Sequence, residues 1–72
     1  MNCCYIAIEC RIGYRRTYGI AAIDPEDGEK IILGAMVDVS DDRRTAETLA
    51  DLCNEKKVPL ERFKDTVEDF IG

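Results

Sequence analysis

A change of hydrophobic period at Ser40 restricts the fold of this chain more than any other feature. In Val37-Asp-Val-Ser-Asp-Asp-Arg-Arg-Thr-Ala-Glu-Thr-Leu-Ala-Asp-Leu-Cys53, apolar residues recur every two positions before Ser40 and every three or four after it. Side chains alternate across a strand and return every 3.6 residues on a helix, so a strand passes directly into an amphipathic helix here. Ser40 reads as the N-cap, its hydroxyl accepting from a free N–H of the first turn. Asp41 and Asp42 then set negative charge against the positive end of the helix dipole.

Upstream, Cys4 to Ile12 alternates as a strand, with Cys4, Ile6, Ile8, Cys10 and Ile12 on one face and Tyr5, Ala7, Glu9 and Arg11 on the other. Gly13-Tyr-Arg-Arg16 reads as a turn, Gly13 being free to take a positive φ. Thr17 to Ile23 is a second strand, in which Gly19 marks a bulge or the close approach of another backbone. Asp24-Pro-Glu-Asp-Gly28 is the clearest turn: Asp24 bonds back to the backbone, Pro25 presets φ and Gly28 closes it. A third strand follows from Lys30 to Val39, with Ile31, Leu33, Ala35, Val37 and Val39 on one face and Ile32, Met36 and Asp38 on the other.

Downstream, the first helix runs from about Asp41 to Asn54 with Ala46, Leu49, Ala50 and Cys53 on one stripe. Pro59 suits the first position of a second helix, whose Leu60, Phe63, Val67, Phe70 and Ile71 share a face. The expected architecture is α+β, β-β-β-α-α: a three-stranded antiparallel sheet with an α-helical hairpin packed on one face. It forms one domain over residues 1–72, with the sheet in 1–39 and the helical hairpin in 40–72. The expected core is Leu49, Cys53, Phe63, Val67 and Phe70 over Ile6, Ile8, Leu33 and Val37.

Seventy-two residues bury only about 60–65% of the unfolded chain's surface, and such a core supplies about 3–5 kcal/mol without a staple, a metal or a subunit interface. A net charge of −5 argues against nucleic acid, whose phosphates need cations to replace their counterions. No apolar run approaches the ~18–20 residues of a membrane span and Met1-Asn-Cys-Cys4 has no basic leader region, so a cytoplasmic protein is expected.

Cys3, Cys4, Cys10 and Cys53 show no C-x-x-C spacing, and the chain has no histidine. Zinc sites and cysteine nucleophiles ordinarily need one or the other; reduced thiols that fill space are expected instead. The carboxylate pairs fall at turns and caps, where water keeps them ionised. Asp24 to Gly28 lacks the alternation of a calcium loop, and no phosphate-binding or nucleophile-elbow motif occurs. No enzyme activity, cofactor or metal is expected.

Tyr18-Gly-Ile20, Val37-Asp-Val-Ser40, Leu52-Cys-Asn54 and Val67-Glu-Asp-Phe-Ile71, in this order and spacing, resemble a family of small uncharacterised Gram-positive bacterial proteins. The resemblance covers residues 18–72. It implies the domain boundaries and a cytoplasmic location, and brings no catalytic residue with it.

Two kinds of surface remain as candidates. Residues 1–23 carry three arginines and one glutamate, a net +2, whereas 24–42 are strongly acidic. Arg11, Arg15 and Arg16 with Tyr14 and Tyr18 could hold a small ligand or nucleic acid, or only keep a hairpin tip soluble. Tyr5, Ala7, Ile32 and Met36 fall on the strand faces assigned away from the helices, and a monomer seldom leaves such a patch open. A homodimer, sheet to sheet or edge to edge, is the expected way to hide it. Finally, Glu47, Asp51 and Glu55 on the first helix and Glu61, Asp65 and Asp69 on the second repeat at i, i+4, i+8, where like charges repel. These stripes either solvate the surface or dock a cationic protein, the arginines of a second subunit included.

Overall fold

The computed structural model describes residues 3–26 and 31–71. Strands β1 (Cys4–Ile12), β2 (Arg15–Ile23) and β3 (Ile32–Ser40) precede helices α1 (Arg43–Glu55) and α2 (Leu60–Ile71). The sheet is antiparallel in the order β1-β2-β3. Helix α1 packs over β1 and β2 and helix α2 over β3, giving the expected β-β-β-α-α architecture.

Local chemistry sets the boundaries. β1 and β2 pair without a slip from Cys4↔Ile23 to Ile12↔Arg15. The two-residue connection places Gly13 at φ +64 and leaves Tyr14 at negative φ, the pattern of a type II′ hairpin turn. After β2 the Asp24 carboxylate accepts from the Glu26 N–H at 2.9 Å, as expected of a side chain that bonds back to its own turn; Gly28 and Lys30 lie outside the described residues. The helix cap differs from expectation. Asp42, not Ser40, caps α1, accepting from the Arg44 N–H at 3.1 Å and from the Thr45 hydroxyl, while Ser40 accepts from the Asp42 N–H at 3.0 Å. A carboxylate here satisfies two donors and meets the dipole at once, so the helix starts two residues late. Its far end is a Schellman motif: Lys57 at φ 50 donates to the Asn54 carbonyl and Val58 to that of Cys53.

The core gathers Tyr5, Ile20 and Ala22 of the sheet beneath Leu49, Ala50, Cys53, Val58, Phe63 and Val67. Tyr5 is 2% exposed, its ring 4.8 Å from that of Phe63 and its hydroxyl donating to the Val58 carbonyl. The helices therefore cover the Tyr5–Ala7 side of β1 and leave the isoleucine side bare, the reverse of the expected placement. Alternation in β1 is as read; what reverses it is that Ile20 and Ala22, opposite Ala7 and Tyr5, share the aromatic side. Ile6 is 43% exposed and Val37 63%, and neither belongs to the core. Phe70 is also outside it at 52%: Leu60, Phe63 and Val67 cover the sheet, and the last turn of α2 runs past it.

β3 does not keep one phase. Its register to β2 shifts between Ala22 and Ile23 and again between Tyr18 and Ile20. Leu33, Met36 and Val39, three residues apart, consequently all pack against the core, because extra residues in a bulge turn the side chains over. The larger bulge holds Asp38 at φ 55 and passes over Gly19. A Cβ on Gly19 would lie 2.2 Å from the Met36 carbonyl oxygen and 3.0 Å from the Val37 Cα. That is the close backbone approach expected of this glycine.

Candidate functional site

The side chains that share the bare face follow from the pairing. Directly opposed residues point the same way, so Cys4, Ile6, Ile8, Cys10 and Ile12 of β1 stand with Ala21 and Ile23 of β2 and Ala35 of β3. Ile6, Ile12, Ile32 and Val37 are exposed, and Ile8 and Cys10 are half-buried. Among the described residues charge enters this face at the β1–β2 turn end, where Arg15 pairs with Asp38 at 3.2 Å and approaches Asp41 at 3.9 Å. Thr17, opposite Cys10 on the same side, is nonetheless buried among its neighbours, and its hydroxyl has no partner among the described residues. Three nine-residue strands make a face of roughly 30 by 14 Å, or about 400 Å² in projection.

The free edge of β1 is the second feature, and nothing in the residue pattern announced it. The Asn54 side chain, reaching across from α1, accepts from the Tyr5 N–H at 2.7 Å and donates to the Tyr5 carbonyl at 2.8 Å. It occupies the first rung of the edge as a neighbouring strand would. With the register unbroken, the backbone groups of Ala7, Glu9 and Arg11 face outward in the same way. Beside them a cleft of about 430 Å³ opens between β1 and α1, lined by Ala7, Glu9, Tyr18, Glu47, Ala50 and Asp51 among others.

Two acids of this cleft are held by ordinary surface pairs, Glu9 by Arg16 at 3.0 Å and Glu47 by Arg43 at 3.0 Å, while no ion pair joins Asp51 to a cation among the described residues. Among the described residues two groups are perturbed, both within the core. Burial, with the nearby Cys3 and Cys53 thiols adding to it, pushes the Tyr5 phenol up to about 12. Burial also raises the Cys53 thiol. Both shifts favour the neutral form at physiological pH, so neither group is activated as a base or nucleophile.

The arginine hairpin does not converge into a single clamp. Arg11 and Arg16 oppose each other on the helix side while Arg15 points to the bare side, and Arg15 and Arg16 are both taken up by acids of the chain itself. Tyr14 is fully exposed at the tip, whereas Tyr18 is half-buried in the cleft. Tyr5 and Met36, expected on an interface, lie instead on the helix-covered side, the first in the core and the second packed against it. Ala7 belongs to that side too, and of the four Ile32 alone is exposed, at 64%. Asp65 and Asp69 are exposed on α2, and no ion pair joins either to a cation among the described residues.

Among the described residues no group of three metal-ligating side chains comes together, and no helix is long and apolar enough to cross a membrane. No family model, no curated protein and no solved structure matches the chain.

Proposed function

We propose that this chain is a non-enzymatic protein-interaction module of the cytoplasm that acts as a homodimer, with the bare sheet face packed on that of a second copy. The observation that carries the reading is the bare face itself. Its exposed isoleucines and valine would stand in water in a monomer, and contiguous apolar patches of this size mark association surfaces. A second copy suits the face because an apolar surface is complementary to itself under two-fold rotation, while most of the remaining surface is acidic and would repel its copy. The pairing of Arg15 and Arg16 with acids of their own chain weighs against a phosphate or nucleic-acid site at the hairpin. Asp65 and Asp69 then act as solvating charge.

The area sets the strength. About 400 Å² of projected face per protomer makes a small interface, and a dimer that forms at tens of micromolar protein is expected. Light scattering at tens of micromolar protein should give at least twice the 8.1 kDa chain mass, little altered by salt. Ile6→Asp with Val37→Asp, both at exposed positions, should stay folded, lose the face-to-face contact and give a lower mass than the unaltered chain. A wild-type monomer under these conditions overturns the reading.

A further inference from the structure

We infer that the β1 edge is a second self-association surface, at which two copies pair antiparallel about a two-fold axis at Cys10. This goes beyond face-to-face packing and uses different groups.

The starting point is a local conflict in the protomer. Arg11 lies directly opposite Arg16 in the β1–β2 register, and like charges in that position destabilise a sheet. Arg16 is relieved by Glu9 at 3.0 Å, but Arg11 has no acidic partner among the described residues. Its backbone, like those of Ala7 and Glu9, faces outward from the edge. An edge strand with free N–H and C=O groups is a template for another strand, and the cleft between β1 and α1 leaves room beside it.

The residues then select one register. Two-fold pairings centred on Glu9 or on Arg11 set two glutamates or two arginines against each other on the axis. Pairings centred on Ala7 or Ile8 require the Tyr5 rung, which the Asn54 side chain already fills. Centring on Cys10 places Glu9 opposite Arg11 of the second copy, twice over, so the conflict at Arg11 is resolved by a carboxylate. On the bare face the same register sets Ile8 against Ile12 and brings the two Cys10 side chains together as a non-hydrogen-bonded pair, the closer kind in an antiparallel ladder. The product is a continuous six-stranded sheet. Its bare face doubles to roughly 800 Å² in projection, so edge pairing strengthens face packing and carries the assembly towards four copies.

The test is disulfide trapping in the full chain carrying Cys3→Ser and Cys4→Ser. Cys53 is buried and remains. Diamide takes up the two thiol hydrogens as the Cys10 sulfurs join. Thiols held together sense a millimolar effective concentration, so at ten-micromolar protein the covalent dimer should form about 100-fold faster than by chance encounter. Glu9→Arg should weaken the pairing roughly tenfold, and adding Arg11→Glu to it should restore trapping, because the swapped charges are again opposite. Trapping should persist, if more slowly, in the Ile6→Asp, Val37→Asp protein, which separates this inference from the face-to-face reading. Random-encounter rates at Cys10, or faster trapping through Ile8→Cys in a Cys10→Ser background, would overturn it.

Discussion

Tyr5 ties the helices to the sheet, and its ionisation should be readable as stability. In the fold the phenol is neutral, donates to the Val58 carbonyl and resists ionisation to about 12. In the unfolded chain it ionises near 10. A group whose folded pKa is raised contributes stability that is complete below the unfolded value and is lost as pH climbs through the folded one. Here the window is pH 10 to 12, and the full loss is about 2.7 kcal/mol. At pH 11 about half of it, some 1.4 kcal/mol, should be gone. That is a large share of the ~3–5 kcal/mol a chain of this size has. With a urea dependence near 1 kcal/mol per molar, the midpoint should fall by about 1.4 M between pH 9 and pH 11. Urea melts followed by far-UV circular dichroism, at protein concentrations too dilute for association, would measure it. Tyr5→Phe supplies the control: it should cost about 1–3 kcal/mol at pH 7, since the Val58 carbonyl loses its donor, and it should remove this part of the pH dependence. If the two proteins lose stability in parallel from pH 9 to 11, Tyr5 is not a buried neutral phenol and the reasoning fails.

Three further expectations concern stability in the same denaturant assay. Gly19→Ala should cost about 3 kcal/mol, because the new Cβ collides with backbone of β3 and no rotamer change relieves it; a loss under about 0.5 kcal/mol would mean that the bulge is not where it is described. Thr17→Val should raise stability by about 1 kcal/mol, the hydroxyl being buried without a partner and the shape being retained; a loss would show that the hydroxyl is hydrogen-bonded. Phe63→Ala should cost about 3–5 kcal/mol and Phe70→Ala below about 1.5 kcal/mol, because the first ring is buried and the second half-exposed; equal losses would extend the core to the end of α2.

The order of elements was legible because each boundary has its own chemistry: Gly13 and Asp24-Pro25 at the turns, the change of period at Ser40, although the cap itself falls on Asp42, and Pro59 before the second helix. The period of β1 was equally plain. Which of its faces meets the helices was not, since alternation fixes the partition of side chains but not the side that is covered, and both faces here carry apolar residues. Tyr5 reads as a surface aromatic until Phe63 and the Val58 carbonyl are brought to it from more than fifty positions away. In β3, two bulges gave Leu33, Met36 and Val39 a common side that no strict alternation assigns to them. Gly19 hinted at one of these bulges without stating its direction. The arginine cluster was visible in composition, but its division between the two faces depends on register. The edge cap by Asn54 left no local signal, because an asparagine near a helix end ordinarily reads as a helix stop.

The most direct test of the central claim, that the helices cover the Tyr5 side and leave the isoleucine side to a second copy, is isotope-filtered NOE spectroscopy on a mixture of labelled and unlabelled chains. Within one protomer the Tyr5 ring should show contacts to Phe63. Between protomers, contacts should join the methyl groups of Ile6 and Ile8 to those of the partner's bare face. Intermolecular contacts at Tyr5 and Met36, with none at Ile6 or Ile8, would contradict it.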